Sequence, residues 1–131
     1  RVGRKYSDAW HVKHLINPRD VVPTSIMPVY PWLMETLDTR LLAAEVATLH
    51  RLGVPYDKEK LANVEKDVLA QSQPDSGDAK GIANRYGKDV AVRAFDGDPE
   101  RLTEMDAVVA YLQSLGTQTS AAYKILSEKP K

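Results

Sequence analysis

The segment Pro23-Thr-Ser-Ile-Met27-Pro-Val-Tyr-Pro-Trp32 decides how the rest of the chain is interpreted. Residues 17–31 hold four prolines, a density that predicts a stiff, extended loop rather than a helix or a central strand. A methionine on such a loop has few conformations to lose, so the loop can hold a thioether at a fixed position. Thioether sulfur is a soft ligand that suits haem iron or copper(I). Methionine is also a common core filler, and both interpretations of Met27 are open at this point.

Outward from this loop, apolar spacing and capping residues predict helices. The predicted helices cover residues 7–16, 37–52, 57–71, 79–86 and 103–115, and the alternation over residues 90–95 predicts a brief strand. Ser7 and Asp57 are good N-caps for the helices that follow them, and either Asp38 or Thr39 can cap the helix over residues 37–52. Thr103 and Asp106 form a weaker version of the capping box. The sequence therefore predicts an all-α protein of short helices with one proline-rich loop.

Composition excludes several classes of protein. The chain has 131 residues, which is typical of one domain, and it has no cysteine. It therefore has no disulfide framework, no cysteine nucleophile, no thiolate zinc site and no covalent haem attachment of its own. Lys plus Arg equals Asp plus Glu at 18 each, so the overall basic excess of a nucleic-acid binder is missing, although residues 1–22 lean positive. The longest apolar run, residues 26–34, is far shorter than the ~20 residues of a membrane-spanning helix.

No catalytic motif is visible. The chain has neither Gly-x-Ser-x-Gly nor a phosphate-binding glycine loop. His11 and His14 stand three residues apart on one helix face and could share a metal ion, with Asp8 one turn away. The alternative is that the two histidines form a partly exposed polar face.

Several longer motifs follow one another along the chain. They are Tyr6-Ser-Asp-Ala-Trp10-His11, His14-Leu-Ile-Asn-Pro-Arg19-Asp-Val-Val-Pro23, Ser25-Ile-Met27-Pro28, Tyr30-Pro-Trp-Leu33, Leu37-Asp-Thr-Arg-Leu-Leu42, Phe95-Asp-Gly97, Leu102-Thr-Glu-Met-Asp-Ala-Val-Val-Ala-Tyr-Leu-Gln113 and Leu115-Gly116. Together they resemble the mono-haem cytochrome c subunit of cbb-type haem–copper cytochrome c oxidases. The resemblance covers about residues 4–117.

This resemblance implies an electron-transfer subunit of a bacterial respiratory chain. The family's cytochrome domain lies at the periplasmic face of the inner membrane. It relays electrons from a di-haem cytochrome c subunit towards the catalytic subunit, where oxygen is reduced, so this subunit is not itself the enzyme. The family binds haem c through a Cys-x-x-Cys-His motif, with a methionine as the second axial ligand. Met27 matches that methionine.

The resemblance also implies a domain plan. Residues 1–117 correspond to the C-terminal part of a cytochrome c-like domain, with a helical insertion at 37–101 and a polar tail at 118–131. The family's membrane helix and haem-attachment helix precede this stretch, so the chain is expected to be a C-terminal fragment. It would meet the membrane only through that preceding segment. The intact protein is expected to carry haem c, and the fragment none that is covalently bound.

Four further side chains flank the ligand loop and are candidate haem contacts: Arg4, Arg19, Tyr30 and Trp32. Cationic and hydrogen-bonding groups of this kind can meet haem propionates. The alternative is that Arg19 caps helix carbonyls and Trp32 is packed in the core. A different function is also open, in which the chain is a non-redox interaction module whose residues 37–101 dock partner subunits.

Overall fold

The computed structural model describes residues 2–116, and its regular structure is helical. The helices are α1 (Asp8–Ile16), α2 (Thr39–Arg51), α3 (Lys58–Ser72), α4 (Ala79–Tyr86) and α5 (Glu104–Ser114). No strand occurs among these residues, where a single isolated bridge joins Thr36 to Thr103. The all-α prediction is confirmed. The polar tail predicted for residues 118–131 lies outside the described residues.

The helices begin at the predicted capping residues. The side chains of Ser7, Asp38 and Asp57 each accept a hydrogen bond from a backbone N–H in the first turn of the helix that follows. At the start of α5, Thr103 and Asp106 cap each other's backbone N–H groups in a complete capping box. These bonds satisfy donors that a helix N-terminus otherwise leaves unpaired.

Two sequence-based expectations about local structure are wrong. The proline-rich loop is not extended throughout, because single 3-10 turns form at Pro18–Asp20 and Pro31–Met34, each with proline at its first position. Proline suits that position since its missing N–H would have no partner there. The brief strand over residues 90–95 does not form. Arg93 N instead donates to Gln71 O near the end of α3, at 2.8 Å, so this segment packs against a helix.

The main core lies between α1, α5 and the Pro31–Met34 turn. Its buried residues are Phe95, Met105 and Val109. Partly buried side chains from α1 and from residues 33–34 pack against them, including Val12 and Leu15. The Met27 loop connects α1 to the Pro31–Met34 turn, and both of these elements contribute side chains to this core.

The remaining helices pack in chain order, α2 on α3 and α3 on α4. The two ends of this segment meet, since Leu37 N donates to Leu102 O at 3.0 Å. Next to that contact, Glu104 N donates to Glu35 O, also at 3.0 Å. The chain therefore leaves the core after residue 36 and returns to it at almost the same place.

A polar clasp joins the start of the chain to α5 and to the segment before it. Gln113 Nε2 donates to Tyr6 O and to Asp8 Oδ1, at 2.8 and 2.7 Å. The Asp8 carboxylate also pairs with the guanidinium of Arg93, whose hydrogen bond holds the pKa of Asp8 below its usual value. Gly3 N donates to Leu115 O at 3.0 Å. The clasp fixes the N-terminal end of α1 to the C-terminal end of α5.

Candidate functional site

The loop that carries Met27 starts where α1 is stopped. Asn17 N donates to Lys13 O at 3.0 Å, and its backbone is then extended, as expected for the residue before a proline. The Asn17 side chain caps the next turn by accepting from Arg19 N and donating to Asp20 Oδ1 at 2.8 Å. Pro18 is fully buried. The first end of the loop is therefore anchored directly to the end of α1.

The second end of the loop returns to the same helix. Tyr30 N donates to Leu15 O at 2.9 Å, which satisfies one of the last α1 carbonyls. Within the loop, Ser25 N donates to Val22 O at 2.9 Å, and Ser25 Oγ accepts from Met27 N at 3.2 Å. Met27 thus sits on a loop tied to α1 at both ends and turned by local hydrogen bonds.

The loop exposes apolar side chains to an unusual degree. Ile26 is 97% exposed and Trp32 is 55% exposed, while Val22 and Val29 are also exposed. Met27 is half-buried among them. Exposed apolar side chains on one loop favour binding, because each Å² of apolar surface removed from water stabilises a complex by about 25 cal/mol. The loop is therefore suited to form one side of an apolar binding site.

Three of the four predicted contact residues lie at this loop. Tyr30 and Trp32 meet edge to face with ring centroids 5.3 Å apart. Arg19 is exposed on the adjoining turn, and its guanidinium makes no ion pair or hydrogen bond within residues 2–116. Arg4 is placed differently, because the whole of α1 separates it from the loop. Its backbone has a positive φ of 63°, and its N–H donates to Gln113 Oε1 at 2.8 Å.

The two histidines of α1 do not form a metal site with neighbouring ligands. Within residues 2–116 no group of three or more His, Cys, Asp or Glu side chains could hold a metal ion. Asp8, which lies one turn from these histidines, is paired with Arg93. His14 stacks on Trp10, with ring centroids 4.6 Å apart.

His11 is a buried histidine with an unusual environment. It is only 3% exposed, and its Nε2 finds no hydrogen-bond partner among the described residues. The rings of Tyr6 and Trp10 meet it edge to face, with centroids 6.1 and 5.4 Å away. Burial lowers the pKa of His11, and the nearby Asp8 carboxylate only partly opposes this. His11 is therefore a neutral, packed ring near neutral pH.

The side chains at this loop match some of the groups that a haem c site requires and lack others. Met27 offers a thioether on a loop with exposed apolar side chains, a donor and a setting that would suit haem iron. The exposed side chain of Arg19 offers a cation on the adjoining Pro18–Asp20 turn. The chain has no cysteine, so it cannot make the covalent thioether links of haem c itself. The residues present thus fit the methionine side of the group and not its attachment side.

Sequence reasoning missed a polar cluster in the α2–α4 segment. Asp67 is buried. Its carboxylate accepts hydrogen bonds from Arg85 Nε at 2.9 Å and from the Tyr86 hydroxyl at 3.0 Å. Burial, together with the bond to Asp67, raises the pKa of Tyr86 to about 12. An apolar cavity of about 270 Å³ lies beside this cluster, lined also by Leu42 and Val64. Asp67 has the spacing of an ordinary solvated helix face, so no signal in the sequence marks its burial.

Comparison with protein families gives one match. A family model described as "Cytochrome C oxidase, mono-heme subunit/FixO" matches residues 1–119. A search of curated proteins found no match. The match spans the main core, the Met27 loop and the α2–α4 segment together. No helix within residues 2–116 is both long and apolar enough to cross a membrane.

Proposed function

Since the chain belongs to the mono-haem subunit family of cytochrome c oxidase, we propose that it relays electrons through a c-type haem to the oxygen-reducing subunit of a cbb-type oxidase. The observation that carries this proposal is the Met27 loop, which is anchored to α1 at both ends and lined by exposed apolar side chains. When bound, the haem supplies one-electron exchange at its iron. Reduction of oxygen belongs to another subunit, and this chain contributes no catalytic site.

The chain's own residues would hold one side of the group. Met27 would supply a thioether ligand, which favours reduced iron and raises the reduction potential. The exposed side chains of Ile26 and Trp32 would pack against the haem and exclude water, and the Arg19 guanidinium would pair with a propionate. Tyr30 positions Trp32 through their ring contact and ties the loop to Leu15. Arg4 lies beyond the other end of α1, so we assign it no contact with the haem.

We further propose that residues 37–101 are an insertion into a cytochrome c-like domain that occupies the rest of residues 1–117. The contact between Leu37 and Leu102 supports these boundaries, because an insertion must start and finish at neighbouring points. The haem-attachment and membrane segments would precede Arg1 in the intact protein. They would place this domain at the periplasmic face of the bacterial inner membrane, beside the catalytic and di-haem subunits.

The test is a pair of substitutions in the natural polypeptide, extended upstream of Arg1. Met27→Leu keeps a side chain of similar volume but removes the sulfur, so the spectroscopic signature of thioether ligation should disappear while haem remains covalently bound. Met34→Leu is the matched control, since Met34 packs against the core and should leave the spectrum unchanged. An unaltered axial-ligand spectrum in Met27→Leu would exclude Met27 as the ligand. A longer chain without any haem would exclude the electron-transfer function.

A second function is favoured by one observation on α2. This helix contributes no buried residue. Its Leu41 and Leu49 are exposed, and Leu52, the C-cap residue that follows it, is 78% exposed. We propose that this face docks another subunit of the oxidase. Leu52→Glu should weaken retention of the chain in the purified complex. Asn84→Glu makes the same change in charge on the exposed surface of α4 and should not. Equal retention of both variants would contradict the docking role.

A further inference from the structure

Charge is distributed unevenly along a chain whose net charge is zero. Residues 1–22 carry five Lys or Arg and two Asp, whereas residues 23–116 carry ten Lys or Arg and fifteen Asp or Glu. The N-terminal segment is therefore basic and the remainder of the described chain is acidic. Such asymmetry steers association with partners of opposite charge.

The structure increases this asymmetry at the surface of α1. Asp8, the only acidic residue of α1, is half-buried and neutralised by Arg93. Lys5 and Lys13 are exposed, and neither forms an ion pair within residues 2–116. These two ammonium groups are therefore available to carboxylates of another molecule.

A stack of rings runs between the two lysines. Tyr6 and Trp10 are parallel with centroids 4.0 Å apart, and Trp10 and His14 are parallel at 4.6 Å. The Lys5 ammonium lies 5.3 Å from the Tyr6 ring centroid. All three rings keep part of their surface in solvent. Tyr and Trp beside cations are the residue types that contribute most to protein–protein interfaces, because rigid rings offer contact area at little entropic cost.

We propose that Lys5, Lys13 and the Tyr6–Trp10–His14 stack, together the α1 cationic face, form a docking surface for an acidic surface on another subunit of the oxidase. The proposal rests on the proposed function only in naming the oxidase as the source of the partner. An anionic bilayer is the less suitable occupant. A helix lying in a membrane surface buries its apolar side in lipid, whereas the apolar side of α1, including Val12 and Leu15, already packs on the protein core.

Carbodiimide cross-linking of the purified oxidase tests the proposal directly, because this reagent joins an amine to a carboxylate only where the two are in contact. Mass spectrometry should find Lys5 or Lys13 joined to Asp or Glu of another subunit. Lys80 and Lys88 are exposed lysines outside α1 that likewise make no ion pair within residues 2–116, and they serve as internal controls. Intersubunit links from these controls, with none from Lys5 or Lys13, would overturn the proposal.

Charge reversal provides a second measurement. The double variant Lys5→Glu/Lys13→Glu should bind the rest of the oxidase about tenfold more weakly at low salt, since each substitution places like charges opposite one another. Lys80→Glu/Lys88→Glu makes the same change in net charge and should bind normally. Equal loss in both variants would show a non-specific charge effect. Haem content and reducibility are recorded on the same samples, so failure of the electron-transfer proposal is seen separately.

Vesicles of phosphatidylcholine with phosphatidylglycerol complete the test. The wild-type chain should not bind them through the α1 cationic face. Vesicle binding that is lost in Lys5→Glu/Lys13→Glu, together with the absence of Lys5 and Lys13 cross-links, would assign this face to a membrane and refute a protein partner.

Discussion

Replacing Thr103 by valine removes a hydroxyl from the polar junction at which α5 begins. Thr103 is fully buried. Its Oγ1 donates to Asp96 Oδ2 at 2.8 Å and accepts from Asp106 N at 3.2 Å. Valine has nearly the same shape and a similar helix propensity, so the substitution removes hydrogen bonds with little change in packing. The variant therefore isolates the energetic contribution of the capping network.

The expected loss follows from these two bonds. Loss of an N-cap side chain costs about 1 kcal/mol. Loss of a hydrogen bond to a carboxylate costs roughly 1.5–3 kcal/mol. Together they predict a decrease of about 3 kcal/mol in the free energy of unfolding of Thr103→Val. For a chain of this length, that corresponds to a fall in Tm of roughly 10 °C.

Urea unfolding followed by circular dichroism measures this difference, with Thr48→Val as the matched control. Thr48 is exposed within α2, and its hydroxyl donates only to Ala44 O. The control should change the free energy of unfolding by less than about 0.5 kcal/mol. If the two variants unfold within about 0.5 kcal/mol of each other with equal m-values, the junction contributes no net stability and the reasoning is refuted.

Two further predictions concern stability. Because burial lowers the pKa of His11 from 6.5, the unfolded chain binds the proton more readily, and the free energy of unfolding should fall as pH drops below 6.5. His11→Phe should remove this part of the pH dependence in urea titrations, and an unchanged slope would show that His11 does not cause it. Gly81→Ala normally favours a helix by about 1 kcal/mol, but here the new Cβ would lie 2.6 Å from Arg85 Nη2 and displace it from Asp67. The variant should therefore unfold at a lower temperature than the wild type; a clear gain in Tm would contradict this argument.

Local signals account for most of what the sequence predicted correctly. Ser7, Asp38 and Asp57 cap helices because their side chains reach backbone N–H groups two or three residues onward, a relation that is visible in the sequence itself. Gly53 follows α2 with a φ of 100°, a conformation that glycine adopts without strain. The family resemblance is confirmed by the match over residues 1–119. The role of Met27 remains a prediction.

The errors arise where long-range contacts decide the structure. Residues 90–95 alternate like a strand, but the nearest backbone offered to them is the end of α3, so Arg93 bonds to Gln71 and no ladder forms. Burial of Asp67 depends on Arg85 and Tyr86 arriving from another helix, which spacing cannot reveal. Arg4 N donates to Gln113 at the end of α5, a tertiary contact that spacing along the chain does not reveal either.

The meeting of Leu37 with Leu102 explains how one chain can hold both the anchored Met27 loop and a helical segment with a surface of its own. The two ends of the proposed insertion are joined by a backbone hydrogen bond, so the chain leaves the core and returns to it at neighbouring points. Phe95, near the end of the insertion, packs in that core with Met105 and Val109 of α5. The Met27 loop is anchored to Leu15 of α1, and within residues 2–116 it makes no backbone hydrogen bond to α2. Substitutions on the exposed face of α2 should therefore alter docking without moving Met27, whereas substitutions at Thr103 act on the core that supports the loop. Stability and subunit retention, measured on the same variants, separate these two roles of the chain.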